Sequence, residues 1–267
     1  MSSTEWRFAS ATVIGSSHVK SGTPCQDHSR CRVFRNGADE PIIAVAVSDG
    51  AGSATRGEDG ATITCASLIE QAELFLARNR TVASMTEQDA QEWHDAVRKA
   101  ITDHASDTEH EVRDYACTML FALIGVETAV FLQIGDGVIV VNDQDQHWSW
   151  VFWPERGEFA NTTFFVTNAA AADHLRFEQR HGSIDEVALL SDGIEPLVLH
   201  YASRTVHAPF FDRMFAPVRR SKVVGEDLAL SQDLEGYLSS PAILERADDD
   251  KTLVLATRRQ QEVTGSQ

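Results

Sequence analysis

Layered α and β elements with largely antiparallel sheets are the fold class that this 267-residue sequence predicts. Three observations lead there. Short apolar runs of strand length recur towards both ends of the chain, two amphipathic stretches of helical period follow one another in its first half, and the strand candidates after them are joined by short turns. Strands and helices grouped in runs point to an α+β arrangement.

Taken in order, residues 8–14, 29–34 and 42–47 are strand candidates, with turn chemistry between them at Gly22-Thr23-Pro24 and Asn36-Gly37. From Ala61 onward, Cys65, Leu68, Ile69, Ala72 and Leu76 recur at spacings of three and four, which places them on one helical stripe. Trp93, Val97, Ala100, Ile101, His104 and Thr108 form a second stripe, for which Thr86 is the expected N-cap. This pair is expected to cover one sheet face. Residues 118–124, 129–134 and 138–141 then read as an antiparallel meander, and residues 187–190 and 252–256 as further strands. Residues 195–237 mix helix-like and irregular pieces.

Hydrophobic residues make up 43% of the chain and charged residues 24%, a balance typical of folded globular proteins and unlike disordered chains. No internal repeat, low-complexity tract or linker divides the sequence, so one domain spanning 1–267 is expected. No apolar run approaches the roughly 20 residues of a membrane helix, and the N-terminus lacks the pattern of a secretory signal. The four cysteines form no Cys-x-x-Cys pair, which fits a reducing cytoplasm. A net charge of −17 argues against nucleic acid or an anionic membrane as partner, because both repel an acidic surface.

Function is signalled by aspartates at strand ends. Asp49 follows the run 42–47, Asp136 the run 131–134, Asp192 the run 187–190, and Asp249 precedes the run 253–256. Glycine comes next at Gly50, Gly137 and Gly193, and Ser48-Asp49-Gly50 is repeated as Ser191-Asp192-Gly193. A lone Asp-Gly is an ordinary turn pair. Several carboxylates converging on one rim repel one another unless a cation lies between them, and a set of oxygen ligands favours Mg2+ or Mn2+ over Zn2+. Asp27, just before the strand 29–34, is a further candidate ligand.

These residues resemble the protein phosphatase 2C family of metal-dependent phosphatases, in its compact bacterial form. The family's Asp-Gly-x-Gly and following Gly-Glu are matched by Asp49-Gly50-Ala51-Gly52 and Gly57-Glu58, and its Gly-Thr-Thr by Ala116-Cys117-Thr118. Its Gly-Asp-Ser-Arg is similar to Gly135-Asp136-Gly137-Val138, its Ser-Asp-Gly is unchanged at Ser191-Asp192-Gly193, and its Asp-Asn-x-Thr resembles Asp249-Asp250-Lys251-Thr252. The resemblance implies a four-layer α/β/β/α sandwich with two packed, mostly antiparallel sheets. It also implies a centre of two Mn2+ or Mg2+ ions held by Asp27, Asp49, Asp192, Asp249 and the carbonyl of Gly50, with Asp136 serving a third ion. On that alignment Asp250 is only the neighbour of a ligand, and its replacement by asparagine is expected to be mild.

Three departures from the family pattern stand out. Gln26-Asp27 replaces the usual Glu-Asp. Gly22 stands where many relatives carry a phosphate-binding arginine, and no arginine occurs from Phe8 through Asp27, which leaves His18 and Lys20 as candidate phosphate-binding residues. Ala51 replaces the histidine that animal relatives offer as a general acid.

The implied activity is hydrolysis of phosphoserine and phosphothreonine on proteins by a metal-activated water, without a phospho-enzyme; a Cys-x5-Arg loop for the cysteine-based route is absent from the sequence. The implied partners are a phosphoprotein substrate and an opposing serine/threonine kinase in a cytoplasmic signalling role. Two alternatives stay open at this level: a catalytically weak phosphoprotein-binding regulatory module, and a hydrolase of small phosphate esters. Residues 195–221, with Arg204, Arg213, Arg219 and Arg220, read either as a substrate-facing flap or as a surface insertion.

Overall fold

A computed structural model describes residues 4–143, 147–154 and 163–260. The chain opens with β1 (Thr4–Val13), the short helix α1 (Ser16–Ser21) and the hairpin of β2 (Asp27–Arg35) and β3 (Pro41–Asp49). Helices α2 (Gly57–Ala77) and α3 (Glu87–Asp107) come next, then β4 (Met119–Ile124), β5 (Thr128–Ile134), β6 (Val138–Asp143) and β7 (Trp148–Trp150). Strands β8 (Arg176–His181) and β9 (Ile184–Leu190) lead to α4 (Glu195–Val198) and the small hairpin of β10 (Leu199–His200) and β11 (Thr205–Val206). The chain closes with α5 (Ala208–Arg220), β12 (Gly225–Glu226), α6 (Leu228–Leu238), α7 (Pro241–Leu244) and β13 (Lys251–Gln260).

One sheet has the order β2-β3-β4-β5-β8 and the other β12-β1-β13-β9-β6-β7; every pairing is antiparallel except β1 with β12. Three apolar layers hold them. Ile43, Val45 and Val47 of β3 meet Trp6, Val187, Leu189 and Val254 between the sheets. The alternate residues Ile42, Ala44 and Ala46 face Cys65, Leu68 and Ala72 of α2 and Trp93 and Val97 of α3. Beyond the second sheet, Phe211, Phe215 and Val218 of α5 and Leu234 and Leu238 of α6 cover Leu253, Leu255 and Leu190. Helix, sheet, sheet and helix form the four-layer sandwich expected. β3 reads as an unbroken apolar run because both its faces are covered.

The helical pair falls where its periodicity places it, and Thr86 caps α3: its hydroxyl accepts from the Asp89 amide at 3.2 Å while the Asp89 carboxylate accepts from the Thr86 amide at 2.8 Å. The meander does not hold. β4 and β5 pair, but β6 leaves for the other sheet and lies beside β9. The turn Gly135-Asp136-Gly137 makes the crossing: Gly135 adopts φ +105°, and a Cβ on Gly137 would come within 2.7 Å of Leu120. The Gln133 amide donates to the carbonyls of Gly135 and Gly137, at 3.0 and 2.8 Å, and fixes the turn. No helix among the described residues is long and apolar enough to cross a membrane.

Candidate metal centre

Strand register brings the acidic residues to one end of the sandwich. Asp27 opens β2 and Asp49 closes β3, and the two are direct cross-strand partners. Like charges in that position repel. Val47 of β3 pairs with Leu120 of β4, Met119 pairs with Ile134 of β5, and the turn after Ile134 carries Asp136 across to Val138 of β6. Val138 and Leu253 both pair with Leu190 of β9, which places Asp192 and Asp249 on the same rim.

The backbone around them is packed too tightly for side chains. A Cβ on Gly193 would come within 1.9 Å of the Asp250 carbonyl oxygen, and one on Gly50 within 2.5 Å of the Gly57 backbone. The two Ser-Asp-Gly repeats share a further device, a fully buried serine that ties each aspartate's strand to its neighbour. Ser48 donates to the Thr118 carbonyl at 2.5 Å, while the Thr118 hydroxyl accepts from the Asp49 amide at 3.0 Å. Ser191 donates to the Asp27 carboxylate at 2.7 Å and accepts from the Thr252 amide at 2.9 Å. Sequence reasoning saw the repeat and missed the serines. Lys251 was also missed; it is fully buried and donates to the Asp249 carbonyl at 2.7 Å.

Burial pushes the Asp49 carboxyl well above the ordinary carboxylate range, and the charges of Asp27, Asp192 and Asp249 push it further. Asp192 is raised to about 7 by burial and by Asp136 and Asp249. Asp27 is raised to about 6 by burial, against the lowering effect of hydrogen bonds from Ser191 and Thr252. One buried oxygen of Asp27 and one of Asp192 have no hydrogen-bond partner. Orphaned anionic oxygens inside a group of mutually repelling carboxyls are the donor set a hard divalent cation satisfies, so the residues present fit Mn2+ or Mg2+. Asp136 is held by the Thr163 hydroxyl.

A pH dependence follows. With folded-state pKa values raised above the unfolded value near 4, the native protein holds more protons than the unfolded chain up to about pH 7. The cation-free protein is therefore expected to lose stability as pH rises from about 4 through 7. Urea unfolding in excess chelator at pH 5 and pH 7.5 checks this, and the fall should shrink in Asp192→Asn. A steeper fall in that variant would contradict the assignment.

The sequence model of the family described as Protein phosphatase 2C matches residues 14–239, a span that holds Asp27, Asp49, Asp136 and Asp192. The chain belongs to the protein phosphatase 2C family. It is 33% identical over 253 residues to Serine/threonine-protein phosphatase 3 of Escherichia coli strain K12, covering 94% of this chain and 98% of that one. Among solved structures it resembles the catalytic domain of serine threonine protein phosphatase PstP in complex with 2 manganese ions, with TM-score 0.58, 16% identity and coverage of 97% and 100%. It also resembles RsbX in complex with magnesium, with TM-score 0.55, 9% identity and coverage of 95% and 96%. At these identities the two structures show the shared fold.

The departures from the family pattern have local physical causes. Gly22 is the C-cap of α1 at φ +73°, a left-handed position that an arginine would occupy only under strain. Gln26 donates its amide to the Ala54 carbonyl at 2.8 Å, a bond a glutamate could not make. Lys20 is exposed on the last turn of α1. His18 turns towards the acidic rim: its Nδ1 lies 2.8 Å from the Asp250 carboxylate. Asp250 is the residue the sequence undervalued. Its side chain is 2% exposed, and its two oxygens accept from the backbone amides of Gly15 and Gln26, both at 2.6 Å. It ties the starts of α1, β2 and β13 together beside Asp27 and Asp249.

The cysteines are all free. Burial raises the thiol pKa of each, that of Cys25 to about 12, the opposite of what a nucleophilic thiolate needs.

Proposed function

We propose that this chain hydrolyses phosphoserine and phosphothreonine on proteins, with Mn2+ or Mg2+ held at the rim where the strand ends meet. The observation that carries the reading is the group of Asp27, Asp49 and Asp192 on one rim, three carboxyls raised first by burial and then by the charges of neighbouring aspartates, two of them with an orphaned oxygen. Asp27, Asp49, Asp192, Asp249 and the Gly50 carbonyl are the ligands for two ions, and Asp136 serves a third. Divalent ions at such a site supply water of lowered pKa and neutralise the phosphoryl charge during in-line displacement. The protein's own part is to hold these oxygens in fixed positions. Ser191 orients Asp27, the Thr118 hydroxyl fixes the Asp49 backbone, and Asp250 locks the two loops that carry Asp27 and Asp249. Lys20, exposed on the last turn of α1, is our candidate for contact with the substrate phosphate.

The activity of the Escherichia coli relative supports the choice of a protein substrate, and nothing favours a regulatory module without turnover. We read 1–267 as one catalytic domain and place it in the cytoplasm, opposing a serine/threonine kinase in signalling. We read residues 195–221 as part of the helical layer over the second sheet, neither a flap nor a surface insertion, because α5 buries Phe211 and Phe215 against that sheet and Arg219 pairs with Glu186 at 2.5 Å. Release of phosphate from a phosphothreonine peptide should require added Mn2+ or Mg2+ and stop in excess chelator. Undiminished turnover in chelator would reject the mechanism.

A further inference from the structure

His18 and Asp249 form a mixed nitrogen and oxygen pair at the outer edge of the rim. The tautomer of His18 follows from its neighbours. Nδ1 lies 2.8 Å from the Asp250 carboxylate and 3.1 Å from the Pro24 carbonyl, and both are acceptors only, so Nδ1 carries the ring proton. In the neutral imidazole the lone pair is then on Nε2. That atom faces the Asp249 carboxylate, with Nε2 and Oδ1 3.9 Å apart. Two ligand atoms each about 2.1 Å from one ion lie roughly 3.0 Å apart when adjacent and roughly 4.2 Å apart when opposite, so this gap has the span of one cation. One ligand atom from each of His18, Asp249 and Asp250 falls within 4.8 Å of the others.

The surroundings fit a ligand histidine. A carboxylate on the far ring nitrogen is the usual support of a metal-bound imidazole, because it fixes the ring's orientation and raises the basicity of the coordinating nitrogen. Asp250 is itself immobilised by two backbone amides. Access is graded in the right sense, with the His18 side chain 13% exposed and that of Asp249 56% exposed, so an ion can enter from solvent and meet a pre-oriented ring.

We infer that His18 Nε2 is a metal ligand, joining Asp249 to bind a divalent cation at the solvent edge of the centre. This inference rests on the metal-dependent reading above and adds to it a nitrogen donor, where the sequence alone suggested oxygen ligands and a phosphate contact. The consequence is selectivity. Imidazole binds first-row transition ions far better than Mg2+, so this edge favours Mn2+ over Mg2+.

The experiment uses the full chain loaded with Mn2+ and reads electron spin echo modulation, which detects nitrogen bound to the ion. The wild-type protein should show a histidine 14N coupling that converts to 15N when histidine is labelled. His18→Asn keeps an amide that can reach Asp250 and has no imidazole lone pair; it should abolish the coupling, weaken Mn2+ binding about tenfold and leave Mg2+ binding within about twofold. Mn2+ bound to wild-type protein with the same spectrum as His18→Asn would overturn the assignment while leaving the metal-dependent reading standing. Equal weakening of both ions in His18→Asn would also overturn it, since that outcome marks loss of the Asp250 contact alone. Absence of any bound Mn2+ in wild-type protein would reject both the assignment and the reading beneath it.

Discussion

Asp49→Asn should lower phosphopeptide turnover by on the order of 10³-fold and at the same time make the cation-free protein more stable. The two effects have one cause. Asp49 is partly buried opposite Asp27 on the neighbouring strand, and loss of solvent together with the charges of Asp27, Asp192 and Asp249 acts against its ionisation. Asparagine has nearly the same size and no charge, so it relieves repulsion in the empty site and removes an anionic ligand from the loaded one. Urea unfolding in chelator and steady-state kinetics in Mn2+ read the two effects separately. A variant that is less stable without cations would show that Asp49 is a structural group, and a near-normal rate would remove it from the ligand set. Asp192→Asn should behave in the same way, since Asp192 is raised to about 7 by burial and by the charges of Asp136, Asp249 and Asp27.

The second large effect is expected at Asp250, where the sequence predicts only that asparagine is mild. Alanine there leaves the buried amides of Gly15 and Gln26 without an acceptor, at a cost on the order of 3 kcal/mol, and frees both loops that position Asp27 and Asp249. Stability and Mn2+ affinity should therefore fall together. Asp250→Asn retains one acceptor but turns an amide NH2 towards a backbone donor, so it should fall between wild type and alanine. If Asp250→Ala unfolds at the wild-type urea concentration, the proposed tie between α1, β2 and β13 is wrong. The family's asparagine at this position is aspartate here, and the His18 imidazole at 2.8 Å is the partner that accompanies the change.

The parts of this account that were legible in the sequence are those in which local pattern and tertiary demand coincide. β3 was readable because a strand covered on both faces must be apolar throughout, and α2 and α3 because each buries one stripe against a sheet. Asp49, Asp136 and Asp192 stood out as candidates because each follows an apolar strand, and Asp249 because it precedes one, whereas Asp27 opens the mixed strand β2. The crossing of β6 was not, since a tight hairpin and a short crossover both call for glycine beside a polar residue; only the packing of Gly137 on Leu120 separates them. β8 was missed because an edge strand with the sequence Arg-Phe-Glu-Gln-Arg-His shows no apolar alternation. α1 is six residues long and buries none of them, so it leaves no periodic signal. Asp250 lay beside a recognised ligand, and spacing alone could not tell which neighbour turns inward.

The central claim, that strand ends gather these carboxylates around divalent ions, is tested most directly by anomalous scattering from crystals grown with Mn2+. The account predicts strong manganese peaks among Asp27, Asp49, Asp192 and Asp249, lost when Asp49 is replaced by asparagine. Manganese bound only elsewhere on the surface, with those four carboxylates unchanged, would contradict it.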